Sequence, residues 1–268
     1  MTMLDPFRIR NVAISAAYQA GAVLRRHLGN IHHLQKKGEI DLVSEADIDA
    51  EAVIIRTIHQ AFPDHAIIAE ESGSTGSTGS SGGCRWIVDP LDGTTNFAHQ
   101  LGLFSVSIGF ETNGEMVAGV VLNPVSGELF TAIAGKGAEL NGKPIHTSQT
   151  TQLVESLLVT GFPYNFKEIM DSVMIRMTRC LMAAQGVRRL GSAALDLCYV
   201  ACGRFEGFWE QNLKPWDVAA GSIIAREAGA VITDFSNHPF TVDSPELLAT
   251  NGWIHPSMLE LLRIKGTE

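Results

Sequence analysis

The segment Trp86-Ile87-Val88-Asp89-Pro90-Leu91-Asp92-Gly93-Thr94-Thr95 runs from apolar, strand-favouring residues directly into two carboxylates three positions apart and a Gly-Thr-Thr turn. Trp86 to Val88 reads as a buried strand, Pro90 to Gly93 as a tight turn, and Gly93-Thr94-Thr95 as the opening of a short helix. Two acids on such a turn can converge on one cation. The unpaired backbone N–H groups of Gly93, Thr94 and Thr95 form an anion seat beside it. Asp is also an ordinary turn former and helix cap, but an unpartnered carboxylate at the end of an apolar strand is costly to bury. A cation beside a phosphate seat is the stronger reading.

Working toward the N-terminus, Ala66-Ile67-Ile68-Ala69 is a second short buried strand, ending in Glu70 and Glu71. Before it, Ser44-Glu45-Ala46-Asp47 has the form of a capping box and predicts a helix from about Glu45 to Phe62. Ile9, Val12, Ala16, Ala20, Val23 and Leu24 recur at helical spacing and predict another over Phe7 to Leu28, stopped by Gly29-Asn30. The Ser72 to Gly83 stretch has no apolar side chain to anchor it before Gly83 and predicts a flexible loop near Glu70.

On the C-terminal side, strand-like runs at Ser105–Phe110, Met116–Leu122 and Glu128–Ala134 are punctuated by Asn113-Gly114 and Asn141-Gly142, hairpin signals that predict an antiparallel meander. Beyond about residue 150, strands near Leu157–Thr160, Val187–Leu190, Phe205–Trp209, Val231–Thr233 and Leu248–Thr250 alternate with helical runs. The expectation is an α+β half, 1–150, followed by an α/β half, 151–268. With no internal repeat and no polar linker, the halves should share a packed interface.

The 268 residues are 45% hydrophobic and 18% charged, a globular composition, and 20 Lys+Arg against 29 Asp+Glu give a formal charge of -9. That balance argues against direct nucleic-acid binding through counterion release. The beginning of the chain lacks a secretory pattern and no apolar run reaches membrane-spanning length, so a cytoplasmic protein without membrane association is expected. Cys84, Cys180, Cys198 and Cys202 form no CxxC pair and read as reduced thiols.

Glu70-Glu71 reads either as a pair with a cationic partner or as a solvated acidic turn, and two further acids are as ambiguous. Asp217 follows Lys214-Pro215-Trp216 in the first turn of a helix, and Asp47 closes the capping box. Each has a plain structural role when taken alone. Together, Glu70-Glu71-Ser72, Asp89 through Phe97 and Pro215 through Gly221 agree in order and spacing with the inositol monophosphatase family, which the chain resembles over essentially its whole length.

The resemblance implies the layered αβαβα sugar-phosphatase fold and a lithium-sensitive, Mg²⁺-dependent phosphatase. By position, it implies that Glu70, Asp89 and the carbonyl of Leu91 bind one Mg²⁺, that Asp89, Asp92 and Asp217 bind a second, and that Glu70 with waters holds a weaker third. The 1–150 half would then carry most metal ligands. It further implies that Glu70 and Thr94, supported by Asp47, orient and deprotonate the attacking water. Asp92, Gly93, Thr94, Thr95, Ala193, Glu210 and Asp217 fall at substrate-binding positions. The residues Thr95-Asn96-Phe97 tilt the expected substrate toward myo-inositol 1-phosphate, with fructose 1,6-bisphosphate as the alternative. A homodimer is expected, and association with the transcription machinery, as in some bacterial relatives, is a second role compatible with catalysis.

Overall fold

Apolar side chains from Ile9 to Leu24 line one face of the first helix, α1 (Pro6–His27), which Asp5 caps by accepting from Phe7 N–H. The computed structural model describes residues 5–30, 34–36, 42–75, 83–163 and 165–264. A short hairpin, β1 (Leu34–Lys36) and β2 (Leu42–Ser44), leads into α2 (Glu45–Ala61). Next come β3 (Ala66–Ala69), β4 (Gly73–Thr75), β5 (Cys84–Asp92) and the five-residue α3 (Thr94–Ala98). The meander is β6 (Ser105–Thr112), β7 (Glu115–Asn123), β8 (Glu128–Ile133), β9 (Ala138–Leu140) and β10 (Lys143–Ile145). The remainder is β11 (Leu157–Thr160), α4 (Met170–Ala183), β12 (Gly186–Arg188), α5 (Ala193–Ala201), β13 (Gly207–Gln211), α6 (Pro215–Glu227), β14 (Val231–Thr233), β15 (Glu246–Thr250) and α7 (His255–Leu262).

Eight strands form one sheet in the order β10-β9-β8-β7-β6-β5-β3-β4, antiparallel except where β3 lies parallel to β5. Asn113-Gly114 and Asn141-Gly142 are its two-residue turns, with left-handed φ of 52° and 51° at the asparagines, the geometry that suits the twist of paired strands. The second sheet, β12-β11-β13-β15-β14, is mixed. Helices α1 and α2 cover the outer face of the large sheet, α5 and α6 fill the space between the sheets, and α4 and α7 cover the far face of the small one. The architecture is the layered αβαβα fold.

The middle layer explains why the two sheets do not separate. All nine residues of α5 are buried, and one core cluster runs from Ile87, Val121 and Phe130 of the large sheet through α5 and α6 to Phe208 and Leu247 of the small one. Helix α6 approaches so closely that a Cβ on Gly119 of β7 would lie 2.6 Å from the Ala220 carbonyl oxygen.

Several elements depart from the sequence expectations. Gly73–Thr75 is paired with β3, so the Ser/Gly stretch begins as a strand: backbone hydrogen bonds need no apolar side chain. Residues 76–82 of that stretch lie outside the described residues. Strand β5 continues to Asp92 instead of ending at Val88. β12 stops at Arg188, short of Leu190, and β13 runs from Gly207 through Gln211 because β15 pairs with it that far.

Candidate active site

Asp89 and Asp92 are three positions apart, an odd offset that in a regular strand would send their side chains to opposite faces. The register shifts between them: Asp89 faces Ser107 and Asp92 faces Ser105, so one extra residue of β5 is taken up as a bulge around Pro90-Leu91. The bulge brings both carboxylates to the same pocket. Pro90, which lacks an N–H, sits where the ladder is interrupted, a position that suits it. A proline inside an apolar strand is the sequence signal for this bulge.

The pocket has a volume of about 760 Å³ and lies where β5, α3, α5, β13 and α6 meet. Glu70, Asp89, Leu91, Asp92, Gly93, Thr94 and Thr95 line it, together with Ala193, Glu210 and Asp217. Every residue expected to hold metal, water or substrate is therefore at this pocket except Asp47, which touches it through Thr94. Asp47 is 1% exposed, and its Oδ1 lies 3.4 Å from Thr94 Oγ1, which also lies 3.1 Å from the Leu91 carbonyl oxygen. Gly93 enters the turn at φ +99°, and a Cβ there would come within 3.1 Å of the carbonyl oxygens of Gly191 and Leu103. Only glycine meets both demands at low cost.

Asp92 is the most heavily tied of the acids. Its Oδ2 accepts from Ser192 Oγ at 2.5 Å, Ala194 N–H at 2.8 Å and Ser105 Oγ at 3.4 Å, while Oδ1 accepts from Ala193 N–H at 3.2 Å. A carboxylate on β5 thus completes the N-terminus of α5, where the helix dipole favours negative charge. Asp89 Oδ1 accepts from Leu91 N–H at 2.9 Å, and Asp217 Oδ2 accepts from Lys214 N–H at 2.7 Å, so the helix-capping role of Asp217 is real. Asn96 Nδ2 donates to the Leu103 and Leu190 carbonyls, a second tie between α3 and the approach to α5.

These acids repel one another in a poorly hydrated place. Burial, then the charges of Glu70, Asp92 and Asp217, push Asp89 well above the usual carboxylate range. Burial raises Asp92 to about 6 against the opposing hydrogen bonds from Ser192 and the α5 amides. Glu210 rises to about 8 through burial and the Asp217 charge, and Asp217 itself is raised mainly by burial. The donors are carboxylates and a carbonyl, an all-oxygen set that suits a hard divalent cation and offers nothing to a thiophilic one. Among the described residues no three acid, His or Cys side chains are already closed around one point, so the fit is one of donor chemistry and charge.

Some roles at this site carried no sequence reading. Ser192, which the resemblance places only near the substrate, holds Asp92 from one hundred residues away, and Ser105 holds it from the paired strand β6. Asp196 lines the pocket with a buried Oδ1 that has no hydrogen-bond partner; its signal is a lone acid in the otherwise apolar Ala193–Ala201 run.

Residues 5–266 match the sequence profile of the inositol monophosphatase family. The chain belongs to that family. It is accordingly an enzyme, a phosphoric monoester hydrolase of a metal-dependent family. It is 45% identical to an inositol-1-monophosphatase of Synechocystis, over 94% of this chain and 87% of that protein. Identity to a Nus factor SuhB of Vibrio cholerae is 41%, over 96% of each. The extragenic suppressor protein SuhB of Bartonella henselae superposes with a TM-score of 0.90 at 40% identity, covering 95% of this chain and 98% of the other.

Proposed function

We propose that this protein hydrolyses myo-inositol 1-phosphate to inositol and phosphate, using a pair of Mg²⁺ ions and a weaker third. The observation that carries the reading is the meeting of Glu70, Asp89, Asp92 and Asp217 beside the Gly93-Thr94-Thr95 turn in one pocket. The name of the Synechocystis relative, an inositol-1-monophosphatase, supports the substrate. Glu70, Asp89 and the Leu91 carbonyl would hold one ion, Asp89, Asp92 and Asp217 the second, and Glu70 with waters the third. In this reading the 1–150 half supplies most ligands and the 151–268 half supplies Asp217 and the substrate contacts of Ala193 and Glu210.

Phosphate monoester hydrolysis is slow enough that enzymes accelerate it up to ~10²¹-fold, about 28 kcal/mol, beyond what the hydrogen bonds of one pocket supply. When bound, the ions neutralise the acids, acidify water and stabilise charge on the phosphate oxygens. The chain's own part is placement and proton handling. Thr94 Oγ1 has one proton and two acceptors in reach, Asp47 Oδ1 and the Leu91 carbonyl oxygen. The Leu91 carbonyl would be a ligand of the ion; Thr94 Oγ1 would then donate its proton to Asp47 and turn its lone pairs to the attacking water, from which Glu70 would take the proton. The backbone N–H groups at Gly93, Thr94 and Thr95 orient the phosphate. Glu210, raised to about 8 by burial and the Asp217 charge, would be able to donate to a ring hydroxyl when protonated and to accept from one when ionised.

Phosphate release from inositol 1-phosphate, fructose 1,6-bisphosphate, phosphoadenosine phosphate and histidinol phosphate, measured side by side with and without Mg²⁺, tests this. Fastest turnover on inositol 1-phosphate, lost in EDTA and inhibited by Li⁺, is expected. No Mg²⁺-dependent release from any of the four would overturn the reading. The four free cysteines and the absence, among the described residues, of a helix able to cross a membrane support a cytoplasmic protein, here read as a homodimer. A second role, association with the transcription machinery, is favoured by the name of the Vibrio cholerae relative, a Nus factor. A pull-down comparing wild type with Asp92→Asn separates that role from catalysis.

A further inference from the structure

Helix α2 carries two buried acids one turn apart, Asp47 and Glu51, and the reaction as described uses only the first. Glu51 is 3% exposed. Its Oε2 accepts from Glu71 N–H at 2.8 Å and its Oε1 from Ser72 N–H at 2.9 Å. Ala69 and Gly73 are paired across β3 and β4, so Glu70, Glu71 and Ser72 are the whole of the turn between those strands. Two of its three amides are held by one carboxylate from a different element.

We propose that Glu51 is a positioning residue for Glu70, fixing the turn from which the Glu70 side chain enters the pocket. The inference rests on the metal-dependent reading above. A turn at the edge of a sheet can satisfy its amides with water, and burying a further negative charge behind an acid-lined pocket worsens the repulsion there. Hydrogen bonds to an ionised acceptor are roughly twice as strong as neutral ones, and only a carboxylate offers two acceptor oxygens at this spacing. Because Asp47 and Glu51 share one rigid helix face at i and i+4, α2 sets the place of Glu70 against that of Thr94. The chain then enters the Ser/Gly stretch from a fixed point.

The test compares wild type, Glu51→Gln and Glu51→Asp by calorimetric titration of Mg²⁺ into substrate-free protein and by the Mg²⁺ dependence of phosphate release. In the Gln variant an amide NH₂ replaces one acceptor and opposes a backbone N–H. The expected result is an unchanged circular dichroism spectrum and Mg²⁺ affinity lower by on the order of 10-fold, the usual scale for residues that orient a metal ligand. Part of kcat should return at high Mg²⁺, with the Asp variant intermediate. Wild-type Mg²⁺ affinity in a folded Gln variant overturns the proposal. So does activity that merely follows the folded fraction at constant half-saturation, or the failure of both variants to fold. If the wild type itself takes up no Mg²⁺, the metal reading falls and this inference with it, an outcome distinct from equal binding by wild type and variant.

Discussion

Ser192 Oγ donates to Asp92 Oδ2 at 2.5 Å across one hundred residues of chain, joining the end of β5 to the cap of α5. Asp92 therefore has a structural duty besides any role with an ion. In Asp92→Asn, a side-chain NH₂ must face at least one of the N–H or O–H donors now aimed at the carboxylate. Leaving such a buried donor unsatisfied costs about 1–3 kcal/mol. The variant should melt several degrees lower, at roughly 2–4 °C per kcal/mol, and lose activity by more than about 100-fold. Ser192→Ala removes one donor and the cap of α5, so it should lower the melting temperature similarly while retaining far more activity. Calorimetric melts beside phosphate-release assays check both; a Ser192→Ala loss of activity equal to that of Asp92→Asn would refute the separation of duties.

Asp89 offers the opposite balance. Its neighbours Glu70, Asp92 and Asp217 all disfavour its charge, and its hydrogen bond from Leu91 N–H can be kept by an asparagine Oδ1. Asp89→Asn should therefore raise the melting temperature in EDTA by about 2 °C or more at pH 8, while abolishing Mg²⁺-dependent activity. A variant less stable than wild type in EDTA would show that repulsion is not what sets the Asp89 environment.

The parts of this picture that the sequence disclosed are those governed by local chemistry. The helices α1 and α2 follow from apolar spacing, and the turns at Asn113-Gly114 and Asn141-Gly142 from residues that tolerate left-handed φ. The two acids of β5 stand out because they follow an apolar strand. Their shared facing did not, since it depends on a bulge fixed by pairing with β6. Strand β4 was hidden because backbone pairing leaves no mark on a Gly-Ser-Thr run. The bonds of Asp92 to Ser192 and the Glu51 clamp are long-range contacts set by how α5 and α2 dock, and its bond to Ser105 is set by the β5–β6 register, none of which leaves a pattern in the chain.

The raised acids also give the metal-free protein a definite pH dependence. Asp92 at about 6 and Glu210 at about 8 keep protons that the unfolded chain, with ordinary carboxylates, has already released. The folded state then binds more protons than the unfolded one, so stability falls as pH rises from about 4 through about 8, and the raised Asp89, Asp196 and Asp217 add to the same slope. In EDTA the melting temperature should decline from pH 5 to pH 8, and Mg²⁺ should reverse the decline by favouring the ionised forms. Glu210→Gln removes the upper part of this window and should melt higher than wild type at pH 8 in EDTA, by at least about 3 °C. Parallel pH profiles for the variant and wild type would rule out Glu210 as a source of the slope.

Asp217 reaches the pocket from α6, which lies hard against β6 and β7. A methyl group on Gly119 would stand 2.6 Å from both the Ala220 carbonyl oxygen and Ile223 Cγ2, well inside any real contact. Helix or strand must move, and overpacking of this kind costs about 1–3 kcal/mol. Asp217 is three residues before Ala220 on the same helix, so the displacement carries it away from Asp89 and Asp92. Gly119→Ala should thus lower the melting temperature and also raise the Mg²⁺ concentration needed for half-maximal activity, although residue 119 touches neither ion nor substrate. A Gly119→Ala protein that is destabilised but has an unaltered Mg²⁺ dependence would show that the site tolerates a shift of α6, and that Asp217 is held by its bond to Lys214 N–H and not by the packing of the helix.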